Sequence, residues 1–420
     1  MVARRLLPTG VIMKIRQALL CGATLLLATS GADAAVINLI DRGGVTGSQA
    51  EQGFKMAALY WGSVLTNDVQ INLSVGFEQL PRNVIGRTGS TTVEYSVEYW
   101  NHRIGLTKSD SLLDRTAILP ALNEDGGVTF ITNGTDADGN DDTSTKALVL
   151  GDTISSRTLL ADTSVLKAIG AINGKGSAID GDIIFSSDFA FDFDPSNGVD
   201  KTAFDFLGIA IHEFGHALGF VSGVDYMDYY GYPNGPESGS LGYSVNDTAI
   251  YSALDLFRYS KDPSNLVTGT KPILDLSVGT DSYFSIDGGK TALFDNSFST
   301  GRYNGDRNQA SHWRDTGGTT FEERCTTQLG VMDPTACFGQ ADELTALDLA
   351  AFDAIGWNLS FDVLKDPEYL ATTASIYRQF LSAVPEPTTW AMMLTGFAMV
   401  GGALRGGRRS RYDLKVSFAG

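Results

Sequence analysis

Ten residues constrain this chain more than any others: IHEFGHALGF, Ile211 to Phe220. Two of the chain's four histidines stand there four positions apart, with Glu213 directly after the first. Helix positions i and i+4 lie on one face, so His212 and His216 can aim ring nitrogens at one point if the segment is helical. Gly219 suits the left-handed residue just past a helix end. The helix is predicted to begin at Asp200 or Thr202 and to stop at Gly219. Any fold built around this segment must let the chain turn sharply there, so that something from elsewhere can reach the two histidines.

The surrounding chain is of the globular kind. Its 420 residues are 43% hydrophobic and 19% charged, enough to bury a sizeable core. The net charge of −18 argues against a nucleic-acid partner, which needs a positive face, and against adhesion to anionic lipid. Ser48 to Leu65 carries apolar residues at helical spacing behind Ser48 and Glu51, which are expected to form a capping box. VQINLSVGF then alternates, with Val69, Ile71, Leu73, Val75 and Phe77 on one side, and predicts a strand with one buried face. Gly181 to Phe189 predicts a second strand shortly before the histidine helix. This order suggests an α/β fold, a twisted mixed sheet covered by helices. Asp366 to Ala383 predicts a late helix with Asp366 as cap and Pro367 in its first turn. NGTDADGNDD and FDFDPSNGVD space acidic residues as a calcium loop does, but the glycine is off the EF-hand register. Calcium is therefore only a secondary expectation beside solvated acidic turns.

Both ends are expected to lie outside the fold. Lys14 and Arg16 precede a short apolar run and an A-x-A site at Ala32 and Ala34, the pattern of a cleaved secretory signal over residues 1–34. At residues 384–420, Pro385, Glu386 and Pro387 precede an apolar stretch and an arginine cluster. That tail fits a short transmembrane helix with its basic end inside. It resembles the PEP-CTERM sorting signal of exported bacterial proteins, although nine residues follow the last arginine. The resemblance implies a transient inner-membrane anchor, removed by a sorting peptidase, and an extracellular or cell-surface destination. Between the ends, residues 35–219 are read as an N-terminal subdomain ending in the histidine helix, and 220–383 as a loop-rich C-terminal subdomain. The mature part holds two cysteines, Cys325 and Cys337, expected to pair in an oxidising compartment.

The chemistry lies in the HExxH pattern. Two helical histidines suit zinc, which takes nitrogen ligands at about 2.0–2.1 Å, and Glu213 is placed to act as a base on water. With Gly219, the stretch resembles the metzincin clan of zinc proteases, whose extended pattern has a third ligand where this chain has Ser222. Asp225, Asp228, His312 and His102 are the remaining candidates. The layout is similar to the leishmanolysin-type metzincins, in which the third histidine is delayed to an SHW segment ahead of a methionine. Ser311, His312 and Trp313 match that segment, and Met332 in LGVMDPTACFG matches the methionine. The resemblance implies a secreted zinc metalloendopeptidase acting on a protein or peptide substrate. It implies zinc on His212, His216 and His312, Glu213 as general base and Met332 as an apolar floor; the bridge expected between Cys325 and Cys337 would flank that methionine. A non-catalytic surface or biofilm-matrix binding protein on a degenerate version of the same fold is the alternative. Retention of Glu213 counts against it and Ser222 counts for it.

Overall fold

The computed structural model describes residues 34–240, 247–261, 266, 272–315, 325 and 328–381. The signal over 1–34 (except Ala34) and the tail over 384–420 lie outside the described residues. The chain begins β1 (Val36–Gly43), α1 (Gln49–Val64), β2 (Gln70–Glu78), β3 (Gly86–Ser90), β4 (Thr92–Ser96) and α2 (Val97–Thr107). It continues through α3 (Leu112–Thr116), β5 (Phe130–Thr135), β6 (Asp141–Val149), α4 (Ile154–Arg157), β7 (Thr158–Asp162) and α5 (Thr163–Ala168). Next come β8 (Gly181–Ser186), β9 (Phe191–Asp192), β10 (Phe204–Asp205), α6 (Phe206–Ala217) and α7 (Val224–Tyr230). The last elements are β11 (Arg258–Ser260), β12 (Ile273–Asp275), β13 (Tyr283–Phe284), β14 (Glu343–Thr345), α8 (Ala346–Ile355), β15 (Leu370–Thr372) and α9 (Thr373–Phe380).

The architecture is mixed α/β. One sheet has the order β1-β2-β8-β3, with β1, β2 and β8 parallel and β3 antiparallel at the edge. A second has the order β13-β11-β12-β5-β6 and so draws strands from both sides of residue 219. Among the described residues no helix is long and apolar enough to cross a membrane.

Helices α1 and α6 pack together beside the first sheet, and aromatic rings fill the space between. The Phe54 ring meets Phe185 of β8 at 5.1 Å and Phe206 of α6 at 5.0 Å, both edge to face. All three rings are fully buried, each worth about 1.5–3 kcal/mol by transfer from water. Trp61 of α1 donates its indole N–H to the carbonyl of Ile211 (3.2 Å), tying α1 to the middle of the histidine helix.

Several sequence expectations need correction. Strand β2 is buried on both faces, because it is central: Ile71, Leu73 and Val75 are apolar and buried, but so are Asn72 and Ser74. The polar face is satisfied by hydrogen bonds, with the Asn72 amide donating to the carbonyls of Gly176 (2.8 Å) and Ala178 (2.9 Å). The capping box at Ser48 does not form. Glu51 accepts from the N–H of Gly47 (2.7 Å) and the Ser48 hydroxyl donates to Val45 O (2.7 Å). The late helix is only α9, capped by Thr372 (Ser375 N–H to Thr372 Oγ1, 3.2 Å), because Leu370–Thr372 pairs with β14 first. The histidine helix starts at Phe206 rather than near Asp200. Asp205 caps it by accepting from Gly208 N–H (3.2 Å), a favourable position for a carboxylate.

The acidic loops cap their own turns. Asp136 accepts from the N–H groups of Asp138 (2.9 Å) and Asn140 (2.8 Å). Asp192 accepts from those of Asp194 (2.9 Å) and Asp200 (2.8 Å). Phe193 from the second loop packs on Phe206, centroids 4.8 Å apart, at the start of α6.

Candidate metal centre

Helix α6 ends where the sequence predicts. Gly219 has φ +110°, a backbone region that suits glycine, and its turn returns the chain beneath the helix. The carbonyl of Phe220 thereby reaches Nδ1 of His216 at 2.7 Å. His212 is fixed likewise, its Nδ1 lying 2.6 Å from the carbonyl of Val331. His312 arrives from a distant segment, its Nδ1 at 3.2 Å from Gln309 O. A carbonyl can only accept, so all three Nδ1 atoms carry hydrogen and all three Nε2 atoms are bare lone pairs.

Those lone pairs converge. The Nε2 separations are 3.0 Å (His212–His216), 3.2 Å (His216–His312) and 3.3 Å (His212–His312). Tetrahedral nitrogen ligands at about 2.0–2.1 Å from one ion would stand about 3.3–3.4 Å apart, so the triangle fits zinc to within about 0.3 Å. Among the described residues these three histidines are the one cluster of at least three metal-ligating side chains. Burial holds His212 down to about 4 and His216 to about 3, the latter also through the neighbouring His212. Burial likewise keeps His312 well below its ordinary value. The three rings are neutral at pH 7, the form that binds a metal.

The other candidates for a third ligand have different partners. Asp225 accepts from the N–H groups of Ala310 (2.6 Å) and Ser311 (3.0 Å) and from the Ser311 hydroxyl. It holds the segment that carries His312. Ser222 reinforces it, donating its N–H to Ser311 Oγ (2.9 Å) and its hydroxyl to Asp255 (2.6 Å). Asp228 accepts from the N–H groups of Tyr303 (2.8 Å) and Asn304 (2.7 Å). His102 is exposed on α2.

Met332 is fully buried under the site. A β-carbon on Gly215 would lie 2.5 Å from its sulfur, so α6 presents bare backbone to the methionine. Cys325 and Cys337 are bridged, Cα atoms 5.7 Å apart, on either side of it in sequence. Sequence reasoning missed Asp348, which gathers this region. It accepts from Val331 N–H (3.0 Å), Met332 N–H (3.2 Å), Trp313 indole N–H (2.8 Å) and Thr345 N–H (2.8 Å). One carboxylate thus ties the methionine segment to the residue after His312. The T-x-x-D spacing of Thr345 and Asp348 at a helix start was the available signal, and it speaks only of the cap. Arg258, also missed, is fully buried and donates to the carbonyls of Ala310 (3.2 Å) and Ser299 (2.6 Å).

Glu213 lies beside the triangle. The hydroxyl of Thr88 on β3 is 2.6 Å from its Oε2, and Gly86 lies so close that a β-carbon would stand 2.4 Å from Oε1. Burial pushes the carboxyl up to about 7, against the hydrogen bond from Thr88. A carboxyl in this place beside the ligand triangle can take and return a proton. The site opens into a cleft of about 560 Å³, walled by β3, α6, the His312 segment and the Met332 segment. Comparison of the chain with protein-family models, with curated proteins and with solved structures gives no match.

Proposed function

We propose that the chain is an exported zinc metalloendopeptidase with a metzincin-like catalytic fold and a leishmanolysin-like ligand layout. The observation that carries this reading is the convergence of three Nε2 lone pairs beside a buried glutamate in an open cleft. The chemistry that zinc would supply here is Lewis acidity toward water and a peptide carbonyl. His212, His216 and His312 would hold the ion, each oriented by a carbonyl on its far nitrogen, the arrangement that fixes ring orientation in metal sites. Glu213 takes a proton from the attacking water on its carboxylate and returns it to the leaving amine. Thr88 keeps one carboxylate oxygen oriented while this happens. Strand β3 lines the cleft and is an edge strand of its sheet among the described residues, so an extended substrate segment adds to it by main-chain hydrogen bonds.

A purely structural zinc site has no need of a buried base facing the open side of the ligands. A non-catalytic binding protein would retain the metal and show no turnover. The test is zinc content together with casein cleavage, with and without a chelator. Metal-dependent cleavage supports the proposal, and a zinc-replete chain that cleaves no protein or peptide defeats it. The exported location, the sorting tail and its peptidase belong to the same proposal. A disulfide beside the metal segment is consistent with an oxidising compartment.

A further inference from the structure

Beyond Glu213, two carboxylates line the cleft, Asp333 and Asp342. Asp342 lies against Gly208, where a β-carbon would stand 2.1 Å from Oδ2. Gly208 is one helical turn before His212, about 6 Å along the axis. The backbone of Asp342 is fixed on both sides, its N–H donating to Asp205 (3.2 Å) and its carbonyl accepting from Thr373 N–H (3.0 Å). Its side chain is 8% exposed, and no described residue donates a hydrogen bond to its carboxylate. Among the described residues its charged neighbours are acidic: Asp205, Asp333 and Glu343. Among the described residues the arginines that line the cleft are Arg87 on β3 and Arg302 and Arg307 in the segment before His312. A buried carboxylate without a partner is costly, and this one borders open space. It lacks a cation.

We propose that this end of the cleft binds a lysine or arginine side chain of the substrate, with Asp342 as the ion-pair partner and Asp333 beside it. The distance from the histidines suits an extended basic side chain. The direction follows from β3. Gly86 lies against Glu213, and the Ser90 hydroxyl donates to His216 O (3.0 Å), so β3 runs the same way as α6. A substrate strand added antiparallel, the commoner pairing, runs from the Ser90 end toward the Gly86 end. The residue after the cleaved bond then falls toward Asp342. The chain's charge of −18 also draws cationic substrates toward it. The inference rests on the protease reading for its substrate, while the pocket can be tested without catalysis.

The zinc-loaded chain is given a proteome-derived peptide library, and cleavage sites are read by mass spectrometry. Lysine and arginine should be strongly enriched just after the cleaved bond; no enrichment there overturns the proposal. In parallel, agmatine binding is measured by calorimetry to the wild type and to D342N. The variant should bind at least about tenfold more weakly, and kcat/KM for a basic peptide should fall by a similar factor relative to a neutral one. Equal agmatine binding in the two folded proteins overturns the proposal. If D342N fails to fold, the wild-type cleavage profile decides. Agmatine binding that depends on Asp342 without any cleavage would defeat the protease reading and leave the pocket standing. Cleavage with no basic preference would do the reverse.

Discussion

Removing the Asp225 carboxylate separates the two roles open to that residue, because support of His312 and ligation of zinc predict different losses. In the structure it accepts two backbone N–H groups, from Ala310 and Ser311, and the Ser311 hydroxyl. Ala310 is fully buried and Ser311 is 8% exposed. In Asp225→Ala both N–H groups lose their acceptor, at about 1–3 kcal/mol each, so the ceiling is about 2–6 kcal/mol. Position 225 is itself partly exposed, so water can enter and replace part of the loss. The expected cost is therefore near the lower end, about 2–3 kcal/mol. Zinc affinity should fall only on the order of 10- to 100-fold, as when the support of a ligand is lost rather than the ligand. Urea titration gives the stability, and a competitive zinc titration gives the affinity. Complete loss of zinc from a folded Asp225→Ala chain would refute the reasoning and make Asp225 a ligand. An unchanged affinity and stability would refute it from the other side.

Three further outcomes are expected. Glu213→Gln should keep fold and zinc while casein hydrolysis falls by about 10²–10⁴-fold, since the amide cannot accept the proton; a purified variant with near wild-type activity would remove Glu213 from the base role. Reduction of Cys325–Cys337, separated by 12 positions, should lower stability by about 3 kcal/mol in the chain-entropy model; thiol titration of the unreduced protein that finds both thiols free would deny the bridge. Asp353, 1% exposed, is pushed up to about 8 by burial and by the neighbouring Asp114 and Asp362. Its folded-state pKa is above the unfolded value, so the folded chain holds the extra proton and stability falls as pH rises from about 4 to about 8. Asp353→Asn should therefore gain on the wild type between pH 5 and pH 8 in thermal melts, and a gap that does not widen would contradict this.

The parts of the site legible in the sequence are those written within one helical turn. His212, Glu213, His216 and Gly219 declare their geometry because a single helix and its left-handed end decide it. His312 was reached through resemblance, since nothing in a 100-position separation specifies contact. Asp225 read as a possible ligand because a carboxylate near a metal motif looks the same whether it faces the ion or holds a backbone. Its partners, Ala310 and Ser311, lie 85 and 86 positions away. Asp348 and Asp342 were invisible for the same reason. Their roles are set by Trp313 and Met332 in one case and by Gly208 and Asp205 in the other. In the sheet, alternation revealed the apolar face of β2, while its other face is buried by hydrogen bonds and carries no hydrophobic signal. The box expected at Ser48 failed because Gly47 offered Glu51 a competing N–H.

The most direct test of the account is the zinc content of the purified chain, measured by atomic emission for the wild type beside His312→Ala, with circular dichroism to establish folding. Three neutral histidines whose Nε2 atoms lie 3.0–3.3 Å apart predict one tightly held zinc per wild-type chain. His312→Ala leaves two side-chain ligands and should lose the ion while keeping its fold. A wild type that binds no zinc, or a folded His312→Ala chain that keeps one zinc, would contradict the three-histidine centre.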